Sequence, residues 1–149
     1  MTDYKTIDNL QPSPEDSRDV IYEPMLVGSS SPIVDLIPKQ HEVEHQGSTN
    51  SCTASTVWTP IDIMYSRSGN WKDFSRMFLY WYTRKLSKVT GDKGAHPRDV
   101  PKALQKYGVP LEIEWQFNSS MLTKEPTEEV QQNALEHKIL KYKRVNANI

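Results

Sequence analysis

The chain has 149 residues, of which 36% are hydrophobic and 25% are charged, which suits one ordinary domain with a single core. Its formal net charge of -1 comes from interspersed acidic and basic residues, which excludes the basic face of a nucleic-acid-binding protein. It has neither an apolar run of the roughly 20 residues that a membrane span needs nor the features of a signal peptide. We therefore expect a protein of the cytoplasm or of an assembled particle, with peptides, proteins or small molecules as partners.

Residues 1–40 lack apolar periodicity and are rich in proline and serine, which predicts an extended arm without a core of its own. Such an arm either lies across a neighbouring subunit or remains an unattached tail. Within it, residues 33–37 (IVDLI) predict a short strand.

The strongest helix signal lies at 51–67, where apolar residues recur at steps of three and four. Ser51 is a natural N-cap for this helix, and Gly69 with Asn70 ends it. Pro60 removes one intrahelical hydrogen bond, so we expect a kink or an interruption there.

Three further helices follow in the sequence. The first spans 75–86, with Ser75 as cap and an aromatic face that we expect in the core. The second spans 98–106 and stops at Gly108, and the third runs from Pro126 to Leu135. Between the first two, residues 91–94 (GDKG) form a loop by composition, and the alternation at 137–145 predicts a strand.

The single cysteine, Cys52, excludes an internal disulfide and a cysteine-rich zinc cluster. A cysteine attacks a carbonyl as the thiolate, and the first turn of a helix favours negative charge because its backbone N–H groups are unpaired. An oxyanion that forms there also needs donors, and the side-chain amide of Gln46 can provide one. The alternative is that Cys52 is a small buried apolar residue, as most unpaired cysteines are.

The segment 46–54 (QGSTNSCTA) resembles the nucleophile motif of papain-like (C1 family) cysteine peptidases. The positions that match the family pattern are Gln46, Gly47, Ser51, Cys52 and Ala54. Asn50 departs from it, because glycine is usual there. Thr53 replaces the aromatic residue of the animal and plant enzymes and is similar to the bacterial and viral branch.

Segments further along the chain resemble the same family, so the resemblance covers about residues 31–149. It implies an α+β fold, namely the helical left-hand domain of a papain-like enzyme with an extended arm and a largely missing β-rich second domain. The implied divisions are the arm at 1–40, the helical domain at 41–136 and the start of a second-domain strand at 137–149. The family's glycine loop, which pairs with the substrate backbone, maps onto Gly94.

The family also uses a histidine, which this sequence does not supply in the expected context. Its four histidines are His41, His45, His96 and His137. A pair of Cys52 with His45 is one alternative, although we expect His41 and His45 on the surface, His96 at the cleft rim and His137 facing solvent.

The resemblance therefore leads to two functional interpretations. The first is a cysteine peptidase that acts on peptides or proteins, here an incomplete chain without its catalytic histidine and asparagine. The second is an inactive structural or binding module of a larger assembly such as a virion. Three explanations account for the missing second domain: the chain is part of a longer peptidase, it is a naturally short protein that kept the helical half without the chemistry, or another chain completes the site. Neither interpretation requires a cofactor or a metal ion.

Overall fold

A computed structural model of the protein describes residues 13–23, residue 35 and residues 44–145. Within these ranges the fold is helical, with four α-helices and one short 3-10 turn at Ser119–Met121. The helices are α1 at Cys52–Arg67, α2 at Arg76–Ser87, α3 at Asp99–Tyr107 and α4 at Glu128–Ala134. None of the helices in this part of the chain has the length and apolar character to cross a lipid bilayer.

Helix α2 lies at the centre of the fold, because it packs against both α1 and α3. Its predicted cap is confirmed, since the Ser75 hydroxyl accepts a hydrogen bond from the backbone N–H of Phe78 at 3.1 Å. On its aromatic face, Phe78 and Tyr82 are buried and Trp81 is half-buried. The prediction that this face belongs to the core is therefore confirmed.

Pro60 does not interrupt α1, which is continuous from Cys52 to Arg67. Proline removes the bond to the carbonyl of Thr56. Both residues are exposed, so water can hydrogen-bond to that carbonyl in place of the missing N–H. The helix ends as predicted, with Gly69 at a φ of 73° and its N–H donating to the Ser66 carbonyl at 3.2 Å.

Gly108 brings the end of α3 against the end of α4. Its φ is 71°, and the N–H of the following Val109 donates to the carbonyls of Ala134 and His137, at 3.1 Å each. A Cβ atom at position 108 would lie 1.9 Å from the Ala134 carbonyl oxygen. This contact is between two backbones, so it requires glycine.

The prediction of a strand at 137–145 is wrong for these residues. They contain a single parallel bridge, in which Arg144 exchanges backbone hydrogen bonds with Val20 and Tyr22 at 2.8 and 2.7 Å. A strand needs a partner along its length, and here the partner is the short segment around Ile21. The strand predicted at 33–37 lies outside the described residues apart from Asp35.

The described part of the arm, residues 13–23, contacts the start of α3 in the same chain. The guanidinium of Arg98 forms ion pairs with Asp16, at 3.2 Å, and with Asp19. Its backbone N–H donates to the Ser13 hydroxyl at 3.3 Å. This stretch of the arm is therefore attached to the helical domain, and its contact with a neighbouring subunit stays a prediction.

Candidate functional site

The nucleophile loop, residues 46–51, is closed by its own hydrogen bonds. The Gln46 side-chain amide donates to the Thr49 carbonyl at 2.8 Å, and the Thr49 hydroxyl donates back to the Gln46 carbonyl at 2.8 Å. Gly47 supports this turn with a φ of 57°. A side-chain amide carries two N–H donors, so one N–H of Gln46 is used inside the loop and the second can serve another acceptor.

Cys52 is the first residue of α1 and is half-buried, with its thiol outside any disulfide. Ser51 occupies the N-cap position, but its side chain makes no capping hydrogen bond. Its buried hydroxyl instead hydrogen-bonds the Thr49 hydroxyl at 2.8 Å. The first turn also carries no acidic residue, so neither a Ser51 side-chain cap nor a carboxylate of the helix itself occupies the N–H groups of this turn.

The glycine loop, residues 91–94, is held by two residues of α2. Arg84 donates to the Gly91 carbonyl at 2.7 Å, and Gly94 donates its backbone N–H to the Tyr80 hydroxyl at 3.1 Å. Gly94 is buried and has a φ of 79°. Since the Gly94 N–H already bonds to Tyr80, a contact between Gly94 and a substrate backbone would use the Gly94 carbonyl.

The structure brings the nucleophile loop and the glycine loop together through Asn50 and Asp92. The backbone N–H of Asn50 lies 3.0 and 3.1 Å from the two carboxylate oxygens of Asp92, and its side-chain amide donates to the Asp92 carbonyl at 2.7 Å. Sequence reasoning missed this contact. The only signal was the unusual asparagine in the motif, which the hydrogen bonds to Asp92 explain.

No histidine in the described part of the chain forms a hydrogen bond with Cys52. His45 is exposed, as predicted, and its carbonyl accepts from Arg76 at 3.4 Å. His96 is half-buried and donates its backbone N–H to Ser87 at 3.0 Å. His41 lies outside the described residues.

The prediction that His137 faces solvent is wrong. Its ring is half-buried and meets the Phe74 ring edge-on at 4.9 Å, and Nε2 lies 2.8 Å from the Lys72 ammonium. Burial and the nearby Lys72 charge lower the pKa of His137. The Val109 N–H donates to the His137 carbonyl, and this hydrogen bond holds His137 next to the end of α3.

A buried arginine supports the approach to the nucleophile loop. Arg76 is 6% exposed, forms an ion pair with Glu44 at 2.7 Å and stacks on the Phe117 ring at 4.4 Å. Because Glu44 and His45 directly precede Gln46, Arg76 anchors the chain where it enters the nucleophile loop. Sequence reasoning also missed this anchor, since an arginine on a predicted helix face is normally exposed.

Glu112 shares this buried corner and has an unusual titration. Its carboxylate accepts the N–H of Phe117, and burial raises the pKa of Glu112 to about 7. The folded protein therefore binds a proton between pH 4.5 and about 7 that the unfolded chain has released. Since the folded state holds more protons in this window, stability falls as pH rises through it.

We expect Glu112→Gln to remove this pH dependence, because glutamine does not titrate. Relative to the variant, the natural protein should lose roughly 1–2 kcal/mol of unfolding free energy across the window, a figure reduced for solvent screening at a half-buried group. Urea unfolding of both proteins at several pH values measures the difference. Parallel stability curves would show that Glu112 does not titrate abnormally.

Comparisons with known proteins found a related sequence and related structures. No family model matches the chain. A peptidase C1-like protein of Acanthamoeba polyphaga mimivirus is 31% identical over 117 residues, which cover 76% of this chain and 37% of the relative. The chain therefore spans little more than a third of that protein.

The chain resembles solved structures of cysteine proteases and related proteins, two of which illustrate the range. Xylellain, a cysteine protease from Xylella fastidiosa, is 29% identical with a TM-score of 0.84, over 93% of this chain and 58% of xylellain. A structure from work on the mite allergens Blo t 1 and Der p 1 is 19% identical with a TM-score of 0.53, over 67% of this chain and 35% of that one, which supports the fold alone.

Proposed function

The chain is related to the papain-like cysteine peptidases and has the fold of their helical domain, and from this we propose that it carries the nucleophile of a cysteine peptidase. Cys52 is the proposed nucleophile and Gln46 the proposed oxyanion donor. The observation that carries the proposal is the position of Cys52 at the start of α1, directly after the loop that the Gln46 amide closes.

The proposed reaction begins with attack of the Cys52 thiolate on a peptide carbonyl carbon. A C–S bond forms, and the carbonyl electron pair moves onto oxygen, which the second Gln46 N–H and a backbone N–H of the first turn stabilise. The C–N bond then breaks as the amine takes a proton, and water hydrolyses the thioester. We propose that the proton comes from a histidine outside the described residues.

The proposed substrates are peptides or proteins, and their backbone would lie along the glycine loop near the Gly94 carbonyl. The proposed setting is the cytoplasm or an assembled particle, where residues 1–40 could also contact neighbouring subunits. The alternative function is an inactive papain-like module. It is favoured by one observation, which is that no described histidine hydrogen-bonds Cys52.

We expect a peptidyl epoxide to label Cys52 of the full-length natural protein, with the adduct located by mass spectrometry after digestion. Labelling should be at least about a hundredfold faster than in the urea-unfolded protein, because an oriented thiolate reacts with a bound electrophile as a near-neighbour. A rate equal to that of the unfolded chain would support the inactive module instead.

We expect Gln46→Ala to lower kcat for peptide hydrolysis by about a hundredfold, because one oxyanion donor is lost. Alkylation of Cys52 by iodoacetamide needs no oxyanion donor and should change only a few-fold. The matched control is Gln116→Ala, since Gln116 is an exposed glutamine that lies outside the nucleophile loop, whereas Gln46 is half-buried within it. Unchanged hydrolysis in the Gln46 variant would remove Gln46 from the proposed site.

A further inference from the structure

We propose that Asp92 is a positioning residue, which holds the nucleophile loop and the glycine loop in the register that a bound peptide needs. The proposal rests on the proposed peptidase function and adds a residue to it. Asp92 acts through its neighbours: Asn50 on one side, two residues before Cys52, and Gly94 on the other. It does not itself contact the reacting atoms.

The contact with the nucleophile loop is made at three points. Both carboxylate oxygens of Asp92 accept the Asn50 backbone N–H, and the Asp92 carbonyl accepts the Asn50 side-chain amide at 2.7 Å. Hydrogen bonds to a carboxylate are stronger than those between neutral groups. Because the side-chain amide and the backbone N–H of Asn50 are both engaged, the peptide plane between Thr49 and Asn50, two residues before Cys52, has a fixed orientation.

The contact with the glycine loop passes through Tyr80. The hydroxyl of the buried Tyr80 donates to the Asp92 carboxylate at 2.7 Å and accepts the Gly94 N–H at 3.1 Å. Tyr80 thus connects Asp92 and Gly94 within the glycine loop. The Arg84 guanidinium lies over the Tyr80 ring at 4.7 Å and donates to the Gly91 carbonyl. Helix α2 therefore contacts the glycine loop through both Tyr80 and Arg84.

The arrangement accounts for the asparagine at position 50. Glycine at this position would keep the backbone N–H but would lose the amide bond to the Asp92 carbonyl. In this chain the two loops come from segments 42 residues apart, and these hydrogen bonds join them directly. A shift of about 1 Å between the two loops would move Cys52 relative to the peptide held by Gly94. A misplacement of that size slows a reaction that depends on the alignment of the reacting atoms.

The test compares two labelling rates at Cys52 in the full-length natural protein. A peptidyl epoxide must lie along the glycine loop while it reacts, whereas iodoacetamide needs only the thiol. We expect Asp92→Asn to lower the ratio of the epoxide rate to the iodoacetamide rate by about tenfold, because the two loops lose their common register. A residue with a merely structural role would change thermal stability without changing this ratio.

The matched control is Asp62→Asn on α1. Asp62 is buried whereas Asp92 is half-buried, and it likewise accepts a hydrogen bond, at 2.6 Å from the Trp71 indole, but it lies ten residues beyond Cys52. In Asp62→Asn the ratio of the epoxide rate to the iodoacetamide rate should stay within about twofold of that of the natural protein. A substitution that shares no contacts with the site usually acts independently of it. An unchanged ratio in Asp92→Asn, or an equal fall in both variants, would overturn the positioning role.

A second pair of variants covers the case in which Asp92→Asn does not fold. Tyr80→Phe keeps the buried ring and removes only the hydroxyl between Asp92 and Gly94, so the ratio should fall in the same direction. Tyr82→Phe is the control, because Tyr82 is a buried tyrosine on the same helix. If the natural protein itself shows no epoxide preference over its unfolded form, the proposed peptidase function fails, whatever the variants show.

Discussion

Cys52→Ser is expected to reduce peptide hydrolysis by the full-length natural protein at least about a thousandfold. Serine keeps the size and the hydrogen-bonding capacity of the side chain, but its hydroxyl does not ionise at the start of a helix as a thiol can. Loss of a catalytic nucleophile alone costs about as much as loss of the whole catalytic set. A fluorogenic peptide assay, with peptide products identified by mass spectrometry, measures the loss.

The control for this variant is Thr59→Ala, which removes an exposed hydroxyl two turns further along α1. That hydroxyl donates only to the Ser55 carbonyl, at 3.2 Å, so activity and folding should be nearly unchanged. Activity that survives in Cys52→Ser would show that the nucleophile lies elsewhere. Absence of hydrolysis in the natural protein, together with unlabelled Cys52, would favour the inactive module.

Gly108→Ala should destabilise the fold by roughly 3–5 kcal/mol, because two costs add. The backbone at 108, with φ of 71° and ψ of -159°, lies in a region that residues with a Cβ rarely adopt. The new Cβ would also sit 1.9 Å from the Ala134 carbonyl oxygen and 2.7 Å from its carbonyl carbon, which are backbone atoms and cannot rotate away. Urea unfolding of both proteins measures the change.

Gly69→Ala separates these two costs. Gly69 has a similar φ of 73°, but a Cβ there would meet no atom within 4 Å. We expect a loss of about 1 kcal/mol from the backbone conformation alone. Equal losses in the two variants would mean that the ends of α3 and α4 are further apart than the structure has them.

The helices could be predicted from the sequence because their signals are local. Apolar spacing predicted α1 and α2, and Ser75 supplies the side-chain cap expected of it. Thr127 caps the start of α4 in the same way, by accepting the N–H of Val130. The strand predicted at 137–145 was wrong because strand formation is not a local property. The alternation at 137–145 has the period of a strand, but whether a strand forms depends on a partner that periodicity does not reveal.

Only those residues of the candidate site that lie close together in the sequence could be predicted. Gln46 and Cys52 stand close together in the sequence, so their motif indicated a shared role. Asp92 reaches the nucleophile loop, and Tyr80 reaches Asp92, only through folding. An aspartate in a Gly-Asp-Lys-Gly loop is typical of ordinary turns. The burial of Arg76 and Glu112 likewise follows from the packing of α2 against residues 111–117, and no spacing rule gives it.

The buried Tyr80 has a consequence for how the site responds to its surroundings. Burial, and then the hydrogen bond to Asp92, raise the pKa of Tyr80 far above its ordinary value, so the hydroxyl remains a proton donor in neutral and alkaline solution. The connection between the two loops is therefore insensitive to alkaline conditions. Glu112, whose pKa is about 7, lies outside this connection, so its titration near neutrality changes the stability of the fold without changing the protonation of Tyr80.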